Sequence, residues 1–179
     1  MSQESKDCIF CKIVAGKFPC HKIWEDEKHL AFLSIFPNTE GFSVVIPKKH
    51  YSSYAFDLPD QVLQDLIVAA KKVGKLLDEK LGDVGRTGLI FEGFGVDHVH
   101  AKLFPMHGTA DLKKWNRECQ PEAGHPLGEK PSESKVGKYF NTYPGYISSH
   151  DYKRADEESL KKLATKIRGE NPDDEVSSP

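Results

Sequence analysis

Apolar residues in the first two thirds of this chain follow two periods, and the switch between them maps the elements. Residues 23–26 and 30–36 read as strands joined by a charged turn, and 42–46 as a third strand stopped by Pro47. Residues 37–41, with Pro37 and Gly41, break the chain between the second and third strands. From 59 to 81 the period becomes helical: Val62, Leu66, Ala69, Val73, Leu76 and Leu77 recur three and four apart. Pro59 suits the first turn of that helix, Asp57 its cap and Gly82 its end. Residues 88–91 predict a fourth strand and 98–104 a fifth. Upstream, Ile9 and Ile13 stand i, i+4 in a short helix ended by Gly16. The order predicts an α+β fold, a five-stranded antiparallel sheet with one long helix and a short N-terminal helix.

The pattern changes after Pro105. Residues 105–149 are rich in Pro, Gly, Lys and Glu, yet hold Trp115, Tyr139, Phe140, Tyr143 and Tyr146. Aromatics of that number predict an ordered, irregular arm, with disorder the alternative around 122–138. A second helix follows over 156–168, with Leu160, Leu163, Ala164 and Ile167 on one face and Gly169 after it. The chain divides into a flexible tail (1–7), a domain (8–105), an extension packed on the domain or on a dimer partner (106–169), and a disordered acidic tail (170–179).

The fifth strand carries the chemistry. Strict alternation puts His98, His100 and Lys102 on one face and Val99, Ala101 and Leu103 on the other. Two histidines spaced this way also suit an edge strand with a solvated polar face. Gly93 and Gly95, just upstream, leave backbone amides open to a bound phosphate. Cys8-x-x-Cys11 has the spacing of a metal-ligand pair, and two buried cysteines without metal is the other reading.

Composition narrows the classes. A net charge of -2 over 179 residues, without a long basic block, argues against a dedicated nucleic-acid surface but not against a nucleotide site. No apolar run approaches the ~20 residues of a membrane helix. Four cysteines, two of them in a CxxC, together with a polar N-terminus, point to a reducing, cytoplasmic setting.

Taken together, the segment Ile9 to Ile13, the Pro37 turn leading to Ile46-Pro47-Lys48-Lys49-His50, the long helix, and His98-x-His100 resemble the histidine-triad (HIT) superfamily of nucleotide hydrolases and transferases. The match runs from Cys8 to Phe104. The resemblance implies that His100 attacks the α-phosphorus of dinucleoside polyphosphates or nucleoside monophosphate conjugates, forming a nucleotidyl-histidine. It implies a nucleotide cleft of Ile9, Phe10, Ile13, Phe32, Ser34 and Ile35 with Gly93 and Gly95. In CxxC-bearing relatives a structural zinc is held by the equivalents of Cys8, Cys11, His50 and His98. A homodimer is implied too, and Leu63, Ile67, Val68 and Ala70 widen the apolar stripe of the long helix beyond what one neighbour needs.

Four positions depart from the pattern. Lys102 replaces the third histidine, Ser34 the acid that usually takes the ribose hydroxyls, Phe42 the histidine of a Gly-His pair, and Phe94 a glutamine. With Lys102 beside His100 as a catalytic cation, a hydrolase and a transferase or phosphorylase stand open; with Lys102 and Ser34 read as signs of decayed chemistry, the chain is a non-catalytic zinc-stabilised nucleotide-binding protein.

Overall fold

The structure is a computed structural model and describes residues 7–110 and 153–170. The expectations for the arm around Trp115 to Tyr146, for Cys119 and for both tails lie outside the described residues. Five strands form one antiparallel sheet: β1 (His21–Glu25), β2 (His29–Leu33), β3 (Ser43–Pro47), β4 (Arg86–Ile90) and β5 (Ala101–Met106). Their order is β1-β2-β3-β5-β4. Among the described residues, three α-helices accompany it: α1 (Ile9–Val14), α2 (Asp60–Lys80) and α3 (Glu157–Arg168). This is the α+β architecture that the two periods predict.

Alternation gives the sheet two apolar faces. Ala31, Leu33, Val45, Ala101 and Leu103 pack against Leu66, Ala69, Val73 and Leu77 of α2 and against Leu160, Ala164 and Ile167 of α3. Leu30, Phe32, Val44 and Ile46 lie on the other face beneath Phe10, Ile13 and Val14 of α1. The first face is the main core. The second is only partly roofed, because α1 is short, and the site lies there.

Local chemistry accounts for the joints. Asp26 Oδ1 accepts from the backbone N–H groups of Lys28 (2.9 Å) and His29 (2.7 Å), which turns β1 into β2. Gly41 has φ +78°, and a Cβ there would come within 2.8 Å of Leu81. Only glycine takes both the left-handed backbone and the close approach. Asp156 caps α3 by accepting from Ser159 N, and Gly169 closes it in the left-handed conformation. The Ala155 N–H donates to Ile35 O (2.9 Å) and Arg168 to Lys22 O (2.6 Å), which seats α3 across β1 and the end of β2.

Several predicted boundaries are corrected. The fifth strand begins at Ala101, so His98 and His100 precede it on an irregular lead-in. The cause is Pro47 at the end of β3: it has no N–H to offer a ladder, and its carbonyl accepts instead from the His98 ring (2.8 Å). The face carrying His98, His100 and Lys102 is buried, not solvated. The second strand ends at Leu33, leaving Ser34, Ile35 and Phe36 in the turn that follows. Asp57 does not cap α2; it lies in a one-turn 3-10 helix (Ala55–Asp57), and Pro59 holds the cap position without a side-chain bond. On α2, Ala70 turns inward and Leu63 is half-buried, whereas Ile67 and Val68 are 42 % and 51 % exposed.

Candidate active site and metal centre

Two adjoining sites share the lead-in to β5. At the first, Cys8, Cys11, His50 and His98 bring their ligand atoms within 4.8 Å of one another. Cys8 Sγ lies 3.5 Å and Cys11 Sγ 3.6 Å from His98 Nδ1, and Cys11 Sγ lies 3.4 Å from His50 Nδ1. Tetrahedral zinc, with bonds of about 2.0–2.3 Å, sets its ligands roughly 3.3–3.8 Å apart. The donor set therefore fits. The tautomer fits as well: Pro47 O only accepts, so His98 Nε2 carries the proton and Nδ1 turns a lone pair toward both sulfurs. Burial pushes the His98 pKa down to about 4, which keeps the ring neutral.

At the second site, His100 is 4 % exposed. Its Nδ1 donates to the His98 carbonyl at 2.7 Å. A carbonyl cannot donate, so the neutral ring keeps its lone pair on Nε2. Burial lowers the His100 pKa, the His98 carbonyl opposes that shift, and nearby Lys102 adds to it. The Phe10 ring stands edge-on to His100 at 5.5 Å and to Phe32 at 5.6 Å. These aromatics wall a cavity of about 540 Å³.

Ile9, Phe10, Ile13, Phe32, Ser34, Ile35, Gly95, His100 and Lys102 all line that cavity. Gly93 does not. It has φ +72°, and a Cβ there would meet the Ser53 carbonyl at 3.3 Å, so its backbone turns the chain. The cavity is apolar along α1 and β2 and polar toward β5, and its volume is in the range of small-molecule sites.

Sequence reasoning missed three groups. Glu92, at the turn after β4, forms an ion pair with Lys102 at 2.5 Å, and the two side chains are 3 % and 6 % exposed. The available signal was Lys102 itself, since a lysine among buried neighbours needs a carboxylate within reach. Arg154 and Glu157, at the start of α3, also line the cavity. Glu157 joins Arg154 (2.5 Å) to His21 (2.8 Å), and these two partners lower its pKa.

Among the described residues, no helix is long and apolar enough to cross a membrane. The HIT-domain family model matches residues 15–109. The adenosine 5'-monophosphoramidase hnt1 of Schizosaccharomyces pombe is 41% identical over 99 residues, which is 55% of this chain and 73% of that protein. A histidine triad protein from Clostridium difficile superposes with a TM-score of 0.52 at 33% identity, covering 58% of this chain and 94% of its own. A zinc-bound histidine triad family protein from Mycobacterium smegmatis is alike in fold, with a TM-score of 0.59 at 20% identity over 91% of each chain. The chain belongs to the HIT-domain family.

Proposed function

We propose that this protein is a nucleotide hydrolase that cleaves at the α-phosphate of nucleoside monophosphate conjugates or dinucleoside polyphosphates through His100. The observation that carries the reading is His100 itself, a buried neutral imidazole locked by the His98 carbonyl at the wall of an apolar cavity. Its Nε2 attacks phosphorus and a P–N(His) bond forms. The bond to the leaving group breaks, and that group departs with the electron pair and takes up a proton. Water then breaks the P–N(His) bond and releases the nucleoside monophosphate. The base lies against Ile9, Phe10, Ile13 and Phe32, the ribose beside Ser34 and Ile35, and the phosphoryl group between His100 and Lys102 near Gly95 and the Gly93 turn. The name of the S. pombe relative, an adenosine 5'-monophosphoramidase, supports a phosphoramidate or similar conjugate as substrate.

In this reading Cys8, Cys11, His50 and His98 hold a structural zinc, which ties α1 to the lead-in of β5. A closed set of four protein ligands leaves no place for a reactive water. The chain works as a homodimer in a reducing, cytoplasmic compartment, which keeps both thiols available.

Brief exposure to an adenylated substrate, followed by intact-mass measurement, tests the reading. A mass gain of one nucleoside monophosphate, lost in His100→Ala, supports it. No gain and no turnover across adenylated and guanylated compounds would leave a nucleotide-binding protein. Lys102 in place of a third histidine favours a second reading, transfer to phosphate or a sugar phosphate. A new nucleotide product on adding those acceptors would select it.

A further inference from the structure

The Glu92–Lys102 pair lies inside the protein, against the wall of the cavity that holds His100. Lys102 sits opposite Val44 of β3 and Ile90 of β4, on the α1 side of the sheet. Removing two charges from water is costly, and apolar residues of similar volume commonly serve stability as well. An ion pair kept at this place calls for another explanation.

We propose that Glu92 is a positioning residue, which keeps the Lys102 ammonium charged and fixed beside the phosphoryl group bound at His100. This deepens the reading above and rests on it. The argument is electrostatic and geometric. A lysine in an apolar wall without a counter-ion gives up its proton. Glu92 prevents that, and it fixes the end of a side chain with four rotatable bonds. An ammonium has three N–H donors and Glu92 engages one, so the same group can also serve a phosphoryl oxygen. Because Glu92 balances the charge, the wall stays close to neutral until an anionic substrate arrives. The backbone is shaped for this placement: Gly93 (φ +72°) and Gly95 (φ +91°) turn the chain between Glu92 and His98. Among the described residues, His100 on the same segment is close enough to feel the Lys102 charge, and His21, Arg154 and Glu157 line the same cavity from β1 and the start of α3.

The test uses the full-length chain with zinc supplied, in wild-type, Glu92→Gln and Glu92→Asp forms. NMR of the lysine side-chain ammonium follows Lys102 through a pH titration, and kcat and KM are measured with an adenosine 5'-phosphoramidate. In Glu92→Gln, the Lys102 ammonium signal should be lost at a pH where wild type keeps it. Its kcat should fall about tenfold or more with KM little changed, and an alkaline fall in kcat should appear that wild type lacks. Glu92→Asp should keep the lysine charged and recover part of the rate. If Glu92→Gln does not fold, Glu92→Asp carries the test, with kcat lowered about threefold or more at unchanged KM. Lys102 titrating as in wild type, or a shifted titration with unchanged kcat, overturns the proposal. Should wild type turn over nothing, the hydrolase reading is what fails, and the titration still decides for or against Glu92.

Discussion

Cys8 Sγ lies 3.5 Å from His98 Nδ1, across a sequence separation of 90 residues. Cys8 stands at the cap of a six-residue helix that buries none of its residues fully and has no side-chain cap bond. So short a helix is not stable alone. The four-ligand cluster is what can hold it over the second face of the sheet. Cys8→Ser with Cys11→Ser should remove one zinc per chain by elemental analysis and lower Tm by about 10 °C or more. Metal-free protein that melts at the same temperature would defeat the assignment.

His107 makes stability depend on pH near neutrality. Its Nε2 faces Glu40 O at 2.9 Å and its Nδ1 faces Asp83 at 3.0 Å. Two acceptors favour the cation: the Glu40 carbonyl and then Asp83 raise its pKa, while His107 lowers that of Asp83. With the folded histidine pKa raised, its contribution is complete below the unfolded value of about 6.5 and fades as pH climbs through the folded value. For Asp83 the contribution is present above about 3.9 and lost as pH falls through the depressed folded value. The Tm deficit of His107→Gln should therefore be larger at pH 5.5 than at pH 8.5. Equal deficits at both would show that the charge does not matter.

The cap of α3 is a local test of how the C-terminal helix is held. Both Asp156 oxygen contacts, to Ser159 N and Ser159 Oγ, measure 2.8 Å. Asp156→Ala should cost about 0.5–2 kcal/mol in urea unfolding, and Asp156→Asn much less. An alanine variant as stable as wild type would mean that α3 is held by its packing alone.

Asp156 and Gly169 show why so much of the fold was legible. Both ends of α3 are written in residue types that act on their nearest neighbours, and the strands and α2 are written in periods. The candidate metal ligands were legible because CxxC has the spacing of a ligand pair and the family resemblance points to His50 and His98 as its complement. What was hidden depends on distant partners. His98 leaves the strand because the Pro47 carbonyl takes its ring, a contact no local period records. Glu92 reads as one more acid in a polar turn until the fold sets it against Lys102. Arg154 and Glu157 reach the cavity only because α3 folds back across β1.

The outer face of α2 tests the homodimer. Ile67 and Val68 are exposed there, and Leu89 is exposed on β4, the last strand of the sheet. An edge strand beside an apolar helix face suits a self-complementary two-fold contact. Light scattering at micromolar concentration should give a dimer for wild type and a monomer for Ile67→Glu with Val68→Glu. A wild-type monomer would rule the assembly out.

Lys102→Ala has two consequences that one further variant separates. The first is catalytic. Loss of a cation beside the phosphoryl position should lower turnover about 10–1000-fold, the range for removing one oxyanion-stabilising group. The second is structural. Glu92 is left buried without its cation, and breaking a buried pair costs about 3–5 kcal/mol. A slow Lys102→Ala enzyme could thus be a poorly folded one. Lys102→Met with Glu92→Leu removes both charges and keeps roughly the same volume, so no buried carboxylate is stranded. That double variant should regain most of the lost Tm while its turnover stays as low as that of Lys102→Ala. Lys102→His, which restores the family pattern and can still pair with Glu92, should retain more activity than either. If the double variant turns over at the wild-type rate, Lys102 acts only in folding, and His100 is left to do the chemistry without it.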